Sequence, residues 1–234
     1  MKALLITIGF GLATTLTYAK DANERLKEAS AVVQEMMNAG DQGIPQGLLE
    51  DAKCAIVIPG EKKGGFFLGA QYGRGFAICR NESTRGWGAP AAVRMEGGSI
   101  GLQIGAAETD IFMLVMNDDG MRRLLESKFT LDANAGIAAG PVGRSASAKT
   151  DAKLSAGILA WSRSRGAFAG LTVGGGTLRN DLDENEELYG KRLDNKEVLT
   201  GSVKPPASAS GLIASLNRFS KEEGERARPA PKKP

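Results

Sequence analysis

Residues 54–80 read CAIVIPGEKKGGFFLGAQYGRGFAICR, and they hold the clearest strand pattern in the chain. β-branched and aromatic residues cluster there between Gly and Pro positions that a helix would not tolerate. A basic turn at residues 60–65 and a tighter joint at Gly73-Arg74 would connect short strands. The predicted strands are residues 54–59, 66–72 and 75–80. The pattern therefore predicts a meander with one apolar face and one open face.

The rest of the chain alternates helical and strand patterns around this meander. Apolar residues at three- and four-residue spacing predict an amphipathic helix over residues 23–39, and Pro45 begins a short helical turn. Further strands are expected at residues 87–95, 99–103, 110–116, 154–162 and 168–173. Further helices are expected at residues 121–127, capped by Asp118 or Asp119, after a cap at Asn180 or Asp181, and at residues 208–219. The predicted fold class is α+β, with a strongly curved or barrel-like antiparallel sheet and flanking helices.

Composition limits the chemistry available to the chain. It has 234 residues, enough for one sizeable core, and its 30 Lys and Arg nearly balance its 27 Asp and Glu. It has no histidine, the commonest general base and a frequent metal ligand. The sequence therefore predicts a non-enzymatic protein with no cofactor and no metal site.

The two ends differ in composition from the middle. Residues 1–19 have the parts of a secretory signal, namely Lys2, an apolar run and small residues before a cleavage site near Ala19. Cleavage there predicts a periplasmic or secreted protein, and an uncleaved N-terminal anchor is the alternative. The predicted division is a signal peptide at 1–19, one domain at 20–204, a C-terminal helix at 205–224 and a disordered Pro/Lys-rich tail at 225–234.

Cys54 and Cys79 both fall in predicted strands, and export would let them pair. A bond between them would be worth about 3 kcal/mol in the chain-entropy account. The alternative is two separately buried thiols, since the first and third strands of a meander are not normally neighbours. The residues alone leave both alternatives open.

Three motifs approach known signatures but lack a required residue. Residues 97–101 match the G-x-S-x-G elbow around Ser99, yet there is no histidine to take the serine proton. Residues 60–65 lack the Lys-Ser/Thr ending of a phosphate loop, and residues 181–192 lack the glycine and glutamate of a calcium loop. Basic residues are not interleaved with stacking aromatic residues, so no nucleic-acid partner is predicted.

Charge follows the predicted elements. Residues 53–104 and 121–179 are rich in Lys and Arg, whereas residues 20–52 and 105–120 are acidic. This favours an anion-binding face on the sheet, although cationic strands also protect sheet edges from pairing.

Ordered motifs across residues 25–203 resemble the SYLF-domain family. They are AIVIP at 55–59, KGGF at 63–66, YGRG at 72–75, WGAP at 87–90, GLQIG at 101–105, SRGAFAG at 164–170 and YG at 189–190. The resemblance implies a lipid-binding domain without catalytic apparatus. Such domains stand alone in exported bacterial proteins, and accompany peptide-binding or phosphoinositide-binding domains in actin-linked endocytic proteins of eukaryotes.

The resemblance also implies a ligand class. Eukaryotic members bind phosphoinositides through a basic N-terminal helix and surface lysines, and some bind actin, but the first helix predicted here is acidic. The expected function is therefore binding of anionic phospholipid at a bacterial envelope surface. The candidate lipid-binding residues are Lys62, Lys63, Arg74, Arg144, Arg163 and Arg165. The alternative is a structural or interaction module whose basic sheet face binds an acidic partner protein.

Overall fold

The structure is a computed structural model. It describes residues 21–40, 43–65, 68–81, 86–100, 105–132, 136–142, 156–164, 167–170 and 176–220. The predicted signal peptide and the predicted tail lie outside the described residues.

Within these ranges the chain forms ten strands and six α-helices. The strands are β1 (Cys54–Gly65), β2 (Leu68–Asn81), β3 (Gly86–Trp87), β4 (Ala91–Ile100), β5 (Gly105–Val115), β6 (Lys128–Leu131), β7 (Ile137–Ala139), β8 (Ile158–Ser164), β9 (Ala167–Gly170) and β10 (Gly176–Asn180). The helices are α1 (Ala22–Asn38), α2 (Gln46–Asp51), α3 (Asp118–Leu124), α4 (Leu182–Tyr189), α5 (Asn195–Thr200) and α6 (Ser210–Phe219). None of the helices in the described ranges has both the length and the apolar composition needed to cross a membrane.

The strands form one sheet in the order β6-β10-β4-β2-β1-β5-β8-β7, with β3 added beside β2 and β9 beside β8. Neighbouring strands are antiparallel except β7 and β8, which are parallel. The sheet is nearly closed and barrel-like, and helices flank it. The predicted α+β class with a strongly curved or barrel-like sheet is confirmed.

The predicted meander is wrong in its strand count. β1 continues through residues 60–65, and β2 continues through Gly73 and Arg74, so residues 54–65 and 68–80 pair as two long strands rather than three short ones. Val57 pairs with Phe76 but Lys62 pairs with Tyr72, so β1 holds one residue more than β2 between these pairs. That extra residue is a β-bulge.

Glycine explains both the bulge and its mistaken interpretation as a turn. Gly60 has φ 58°, a conformation that other residues rarely adopt. A Cβ on Gly75 would lie 2.0 Å from the carbonyl oxygen of Val57, because the two backbones approach closely there. In this hairpin the glycines therefore mark irregular pairing inside long strands.

Apolar side chains pack on both faces of β1. Ile56 and Ile58 point into the barrel interior, where they join an inner core with Met95, Ile111 and Leu178. Alternate residues, including Ala55 and Val57, point outward into an outer core. Helices α1, α2 and α6 cover this outer core, which contains Leu26, Val33, Met36, Leu48, Phe76, Phe112, Trp161, Leu212 and Leu216. The sheet is thus buried on both faces where these helices lie.

Helix ends follow side-chain caps. Asn117, one residue before the predicted candidates, caps α3 by accepting a hydrogen bond from the Gly120 N–H at 3.0 Å. Asp181 caps α4 as predicted. Helix α5 was not predicted, although Asp194 and Glu197 form a capping box, which is a recognisable sequence signal.

Cys54 and Cys79 form a disulfide. They are direct partners in the β1–β2 pairing, because the predicted second and third strands are one strand. Of the two alternatives left open by the sequence, the structure has the bonded one.

Candidate anion-binding groove

Lys62 and Lys63 do not form a joint cationic turn. They are consecutive residues of β1, so their side chains point to opposite faces of the sheet. Lys62 is exposed on the outer face, and no described acidic side chain forms an ion pair with it. Lys63 is on the inner side, with its Nζ 3.8 Å from Glu61 Oε2. The predicted pair of lysines is therefore divided between two environments.

Arg74 is engaged in a buried network. Its Nε donates to Asp181 Oδ2 at 2.6 Å, and Nε lies 3.0 Å from Glu184 Oε2, an ion pair without hydrogen-bond geometry. Arg25 of α1 also pairs with Glu184. Both carboxylates are buried. Arg74 thus connects β2 to α4 and, through Glu184, to α1.

Arg163 is held in a similar way. Its Nε lies 3.0 Å from Asp110 Oδ2, and its guanidinium also pairs with Glu35. These contacts join β8 to β5 and α1. Arg144 and Arg165, the remaining predicted residues, lie outside the described residues.

A different set of basic side chains surrounds an open groove beside β6. Two adjoining cavities of about 500 and 310 Å³ have Lys128 and Arg179 in both linings. Arg123 of α3 lines the larger cavity and Lys196 of α5 lines the smaller one. We call these four side chains and the space between them the basic groove.

Strand pairing and helix ends bring the groove together. Along β6 the side chains alternate, so Lys128 and Thr130 are exposed while Phe129 and Leu131 are buried. Lys128 pairs with Arg179 of β10, which places two cations side by side. Arg123 lies in the last turn of α3, where the helix dipole favours positive charge.

Most of the charge in the groove is uncompensated. Arg179 Nε lies 3.3 Å from Glu96 Oε2. Among the described residues, no acidic side chain forms an ion pair with Arg123, Lys128 or Lys196. Acidic residues are present on the walls, namely Glu126, Asp132 and Asp194. An anion entering the groove would meet three available cations at a solvent-exposed surface.

Sequence reasoning did not identify these residues. Arg123, Lys128 and Arg179 fall within the basic segment 121–179, but nothing local distinguishes them from its other Arg and Lys residues. Only the pairing of β6 with β10 brings them together. In the part of the chain that is described, no three Cys, Asp or Glu side chains are grouped to hold a metal ion.

Comparison with known proteins gives the family. Residues 96–219 match the sequence model of Ysc84, described as "Las17-binding protein actin regulator". LAS seventeen-binding protein 3 of Saccharomyces cerevisiae is 32% identical over 191 residues, covering 80% of this chain and 41% of that protein. SH3 domain-containing YSC84-like protein 1 of Homo sapiens is 28% identical over 212 residues, covering 89% of this chain and 61% of that protein.

These relatives are longer than the matched region. The chain spans 41% of the yeast protein and 61% of the human protein. A binding activity named for a whole relative can therefore reside in a part that this chain does not match.

The comparisons overturn the predicted location. The apolar run at residues 1–19 predicted a periplasmic or secreted protein. The matching relatives are proteins of yeast and mammals, and the family description names an actin regulator. Because actin is a protein of the cell interior, the prediction of a periplasmic or secreted protein is wrong.

The family assignment agrees with the motifs found in the sequence. The matched region runs from β4 to α6, and it includes the WSRSRGAFAG segment and the α4 helix with its Tyr-Gly ending. The chain belongs to the Ysc84 family, which is the SYLF-domain family that those motifs resemble.

Proposed function

We propose that this chain is a non-enzymatic binding module that docks on anionic phospholipid through the basic groove. The observation that carries the proposal is the cluster of half-buried Arg123 with exposed Lys128 and Lys196, which has no ion-pair partner among the described residues. Phosphate groups suit this cluster, because guanidinium and ammonium groups form charge-assisted hydrogen bonds with their oxygens.

A second exposed feature supports contact with a membrane interface. Tyr72 is 48% exposed, and it lies directly opposite Lys62 in the β1–β2 pairing. An aromatic ring with a polar tip beside a lysine suits the head-group region of a bilayer. Lys62 therefore keeps its predicted role in this proposal, whereas Arg74 and Arg163 serve the fold.

The expected strength follows from the number of cations. Each basic side chain near an anionic membrane surface is worth about 1 kcal/mol. Replacing Arg123 and Lys128 with Glu turns two attractions into repulsions, so affinity for anionic vesicles should fall by well over tenfold, at about 1.4 kcal/mol per tenfold step.

Vesicle co-sedimentation tests the proposal. Vesicles of phosphatidylcholine alone are compared with vesicles that also contain phosphatidylserine. Arg122→Glu is the matched control, because Arg122 neighbours Arg123 on α3, is exposed, pairs with Asp119 and does not line the groove. Equal binding of the wild type and of Arg123→Glu/Lys128→Glu would refute the lipid role of the groove.

A second candidate function is binding of an acidic protein segment. The groove runs beside β6, which is the end strand of the sheet order in the described part of the chain. The exposed edge of such a strand can add a further strand from a partner, and the surrounding cations would favour an acidic one. The family description names an actin regulator, and one relative is named for binding LAS seventeen. Co-sedimentation with actin filaments, using the same variants, distinguishes this candidate.

A further inference from the structure

Two buried polar side chains on the inner face of the barrel have atoms without a hydrogen-bond partner among the described residues. Glu61 is 0% exposed, and both of its carboxylate oxygens are unpartnered within the described structure. Gln71 is 5% exposed, and its Nε2 is likewise unpartnered there. Buried polar groups are nearly always satisfied, so two such groups in one region call for an explanation.

The pairing register places Glu61 inside the barrel. Gly73 pairs with Met95, whose side chain belongs to the inner core. A Cβ on Gly73 would lie 3.1 Å from Glu61 Cβ, so the glutamate lies over this glycine. Because paired residues point to the same face of a sheet, Glu61 is on the inner face as well.

The register places Gln71 on the same face. Gln71 pairs with Gly97, which pairs with Gly176, and Gly176 in turn pairs with Leu131 of the inner core. A Cβ on Gly176 would lie 2.7 Å from Gln71 Nε2. The sheet positions that Glu61 and Gln71 cover are thus glycines, Gly73 and Gly176. Because these glycines have no side chains, Glu61 and Gln71 fill the space above them.

Lys63 links this inner polar cluster to solvent. It pairs with Gln71, and its side chain is 26% exposed. Its Nζ is 3.8 Å from Glu61 Oε2, close enough for attraction but beyond hydrogen-bond distance. Lys63 therefore offsets part of the glutamate charge without satisfying its oxygens.

We propose that Glu61, Gln71 and Lys63 form a binding site, open at Lys63, for a small molecule that carries a primary ammonium next to a phosphate or carboxylate. The ammonium would donate to the two Glu61 oxygens. The anionic group would accept from Gln71 Nε2 and from the Lys63 ammonium. The Glu61 oxygens would then have a hydrogen-bond donor, and Gln71 Nε2 would have an acceptor.

This site is separate from the basic groove, which lies beside β6 and uses none of these residues. The two proposals can therefore fail independently. The same ligand chemistry occurs in a free molecule such as phosphoethanolamine and in the head group of phosphatidylethanolamine.

Titration calorimetry with phosphoethanolamine tests the site, and ethanolamine and inorganic phosphate serve as half-ligands. The wild type should bind phosphoethanolamine more tightly than either half-ligand. Glu61→Gln keeps the shape of the side chain but removes its charge, so binding of phosphoethanolamine should weaken by at least about tenfold. Binding of inorganic phosphate should not weaken in this variant.

Lys53→Gln is the matched control, because Lys53 is an exposed lysine that pairs with Asp118 at 2.7 Å and belongs to neither proposed site. This variant should bind phosphoethanolamine as the wild type does. Lys63→Gln provides a second test that leaves the buried carboxylate in place, and it should weaken binding of both phosphoethanolamine and inorganic phosphate.

Binding measurements with lipid vesicles show whether the ligand is a free molecule or a lipid head group. Binding to phosphatidylethanolamine vesicles that depends on Glu61, without binding of free phosphoethanolamine, would assign the site to a lipid head group. If the wild type binds neither form, or if Glu61→Gln and Lys63→Gln both bind as the wild type does, the proposal is wrong.

Discussion

Cys54 and Cys79 face each other across the β1–β2 hairpin, with their Cα atoms 3.9 Å apart and their sulfur atoms bonded. The bond joins the start of β1 to the end of β2, so it closes the hairpin at its base. Both residues belong to the inner core.

Removal of this bond should lower stability without changing the fold. The Cys54→Ala/Cys79→Ala variant releases the unfolded chain from a loop constraint worth about 3 kcal/mol. Urea unfolding of the oxidised wild type, the reduced wild type and the double variant measures the effect. An unfolding free energy equal in all three samples would contradict the prediction.

Glu184→Ala should be among the most destabilising single changes. It takes a buried carboxylate away from Arg25 and Arg74 and leaves their charge poorly compensated, at a cost of about 3–5 kcal/mol. Asp183→Ala is the control, because Asp183 is exposed and pairs with exposed Arg192 at 2.8 Å, an interaction worth about 0–1 kcal/mol. Similar unfolding midpoints in the two variants would show that the buried network contributes little.

Gly75→Ala should disrupt the hairpin at the bulge. The added Cβ would lie 2.0 Å from the Val57 carbonyl oxygen, so the backbones must separate, at a cost of about 1–3 kcal/mol or more. Gly64→Ala, on the opposite strand, brings the added Cβ within 4 Å of no atom in the described residues. Thermal melts should show a large decrease in melting temperature for Gly75→Ala and a small change for Gly64→Ala.

The stability difference between Glu61→Gln and the wild type should depend on pH. Burial raises the pKa of Glu61 above its usual value near 4.5, and Lys63 opposes this shift in part. Because the folded state holds the proton more tightly, the wild type loses stability as pH rises from about 4.5 through the raised folded pKa. The amide variant does not titrate.

As pH rises through this range, the unfolding free energy of Glu61→Gln should therefore increase relative to that of the wild type, by about 1.4 kcal/mol for each unit of pKa shift. Below the usual pKa of glutamate the difference should level off. Unfolding free energies measured at a series of pH values test this. A difference that stays constant from acid to neutral pH would mean that the Glu61 pKa is not raised.

Local patterns predicted every described α-helix except α5, because the signals that start and pack a helix are local. The apolar spacing of Leu26, Val33 and Met36 and the cap at Asp181 each depend on residues a few positions apart. The sequence also predicted the fold class, since short apolar runs between glycines favour a curved sheet. The sequence did not predict that β1 and β2 are continuous strands, because Gly60 and Gly73 suit a turn as well as they suit a bulge or a close packing contact.

The site residues were harder to predict because their roles depend on distant partners. Arg74 and Arg163 look like free surface cations in the sequence, yet each meets carboxylates from elements far along the chain. Conversely, Lys128 and Arg179 become neighbours only when β10 pairs with β6. Neither the composition nor the spacing of residues predicts that strand pairing.

The single extra residue at the β1 bulge interrupts the alternation of inward and outward side chains along the strand. Before it, even-numbered residues such as Ile56 and Ile58 point inward, and after it the inward positions are the odd-numbered Glu61 and Lys63. Strict alternation through Gly60, without the bulge, would instead turn Glu61 out to solvent and bring Lys62 into the barrel. The bulged conformation at Gly60 thus determines which charges the barrel encloses and which it presents to its surroundings.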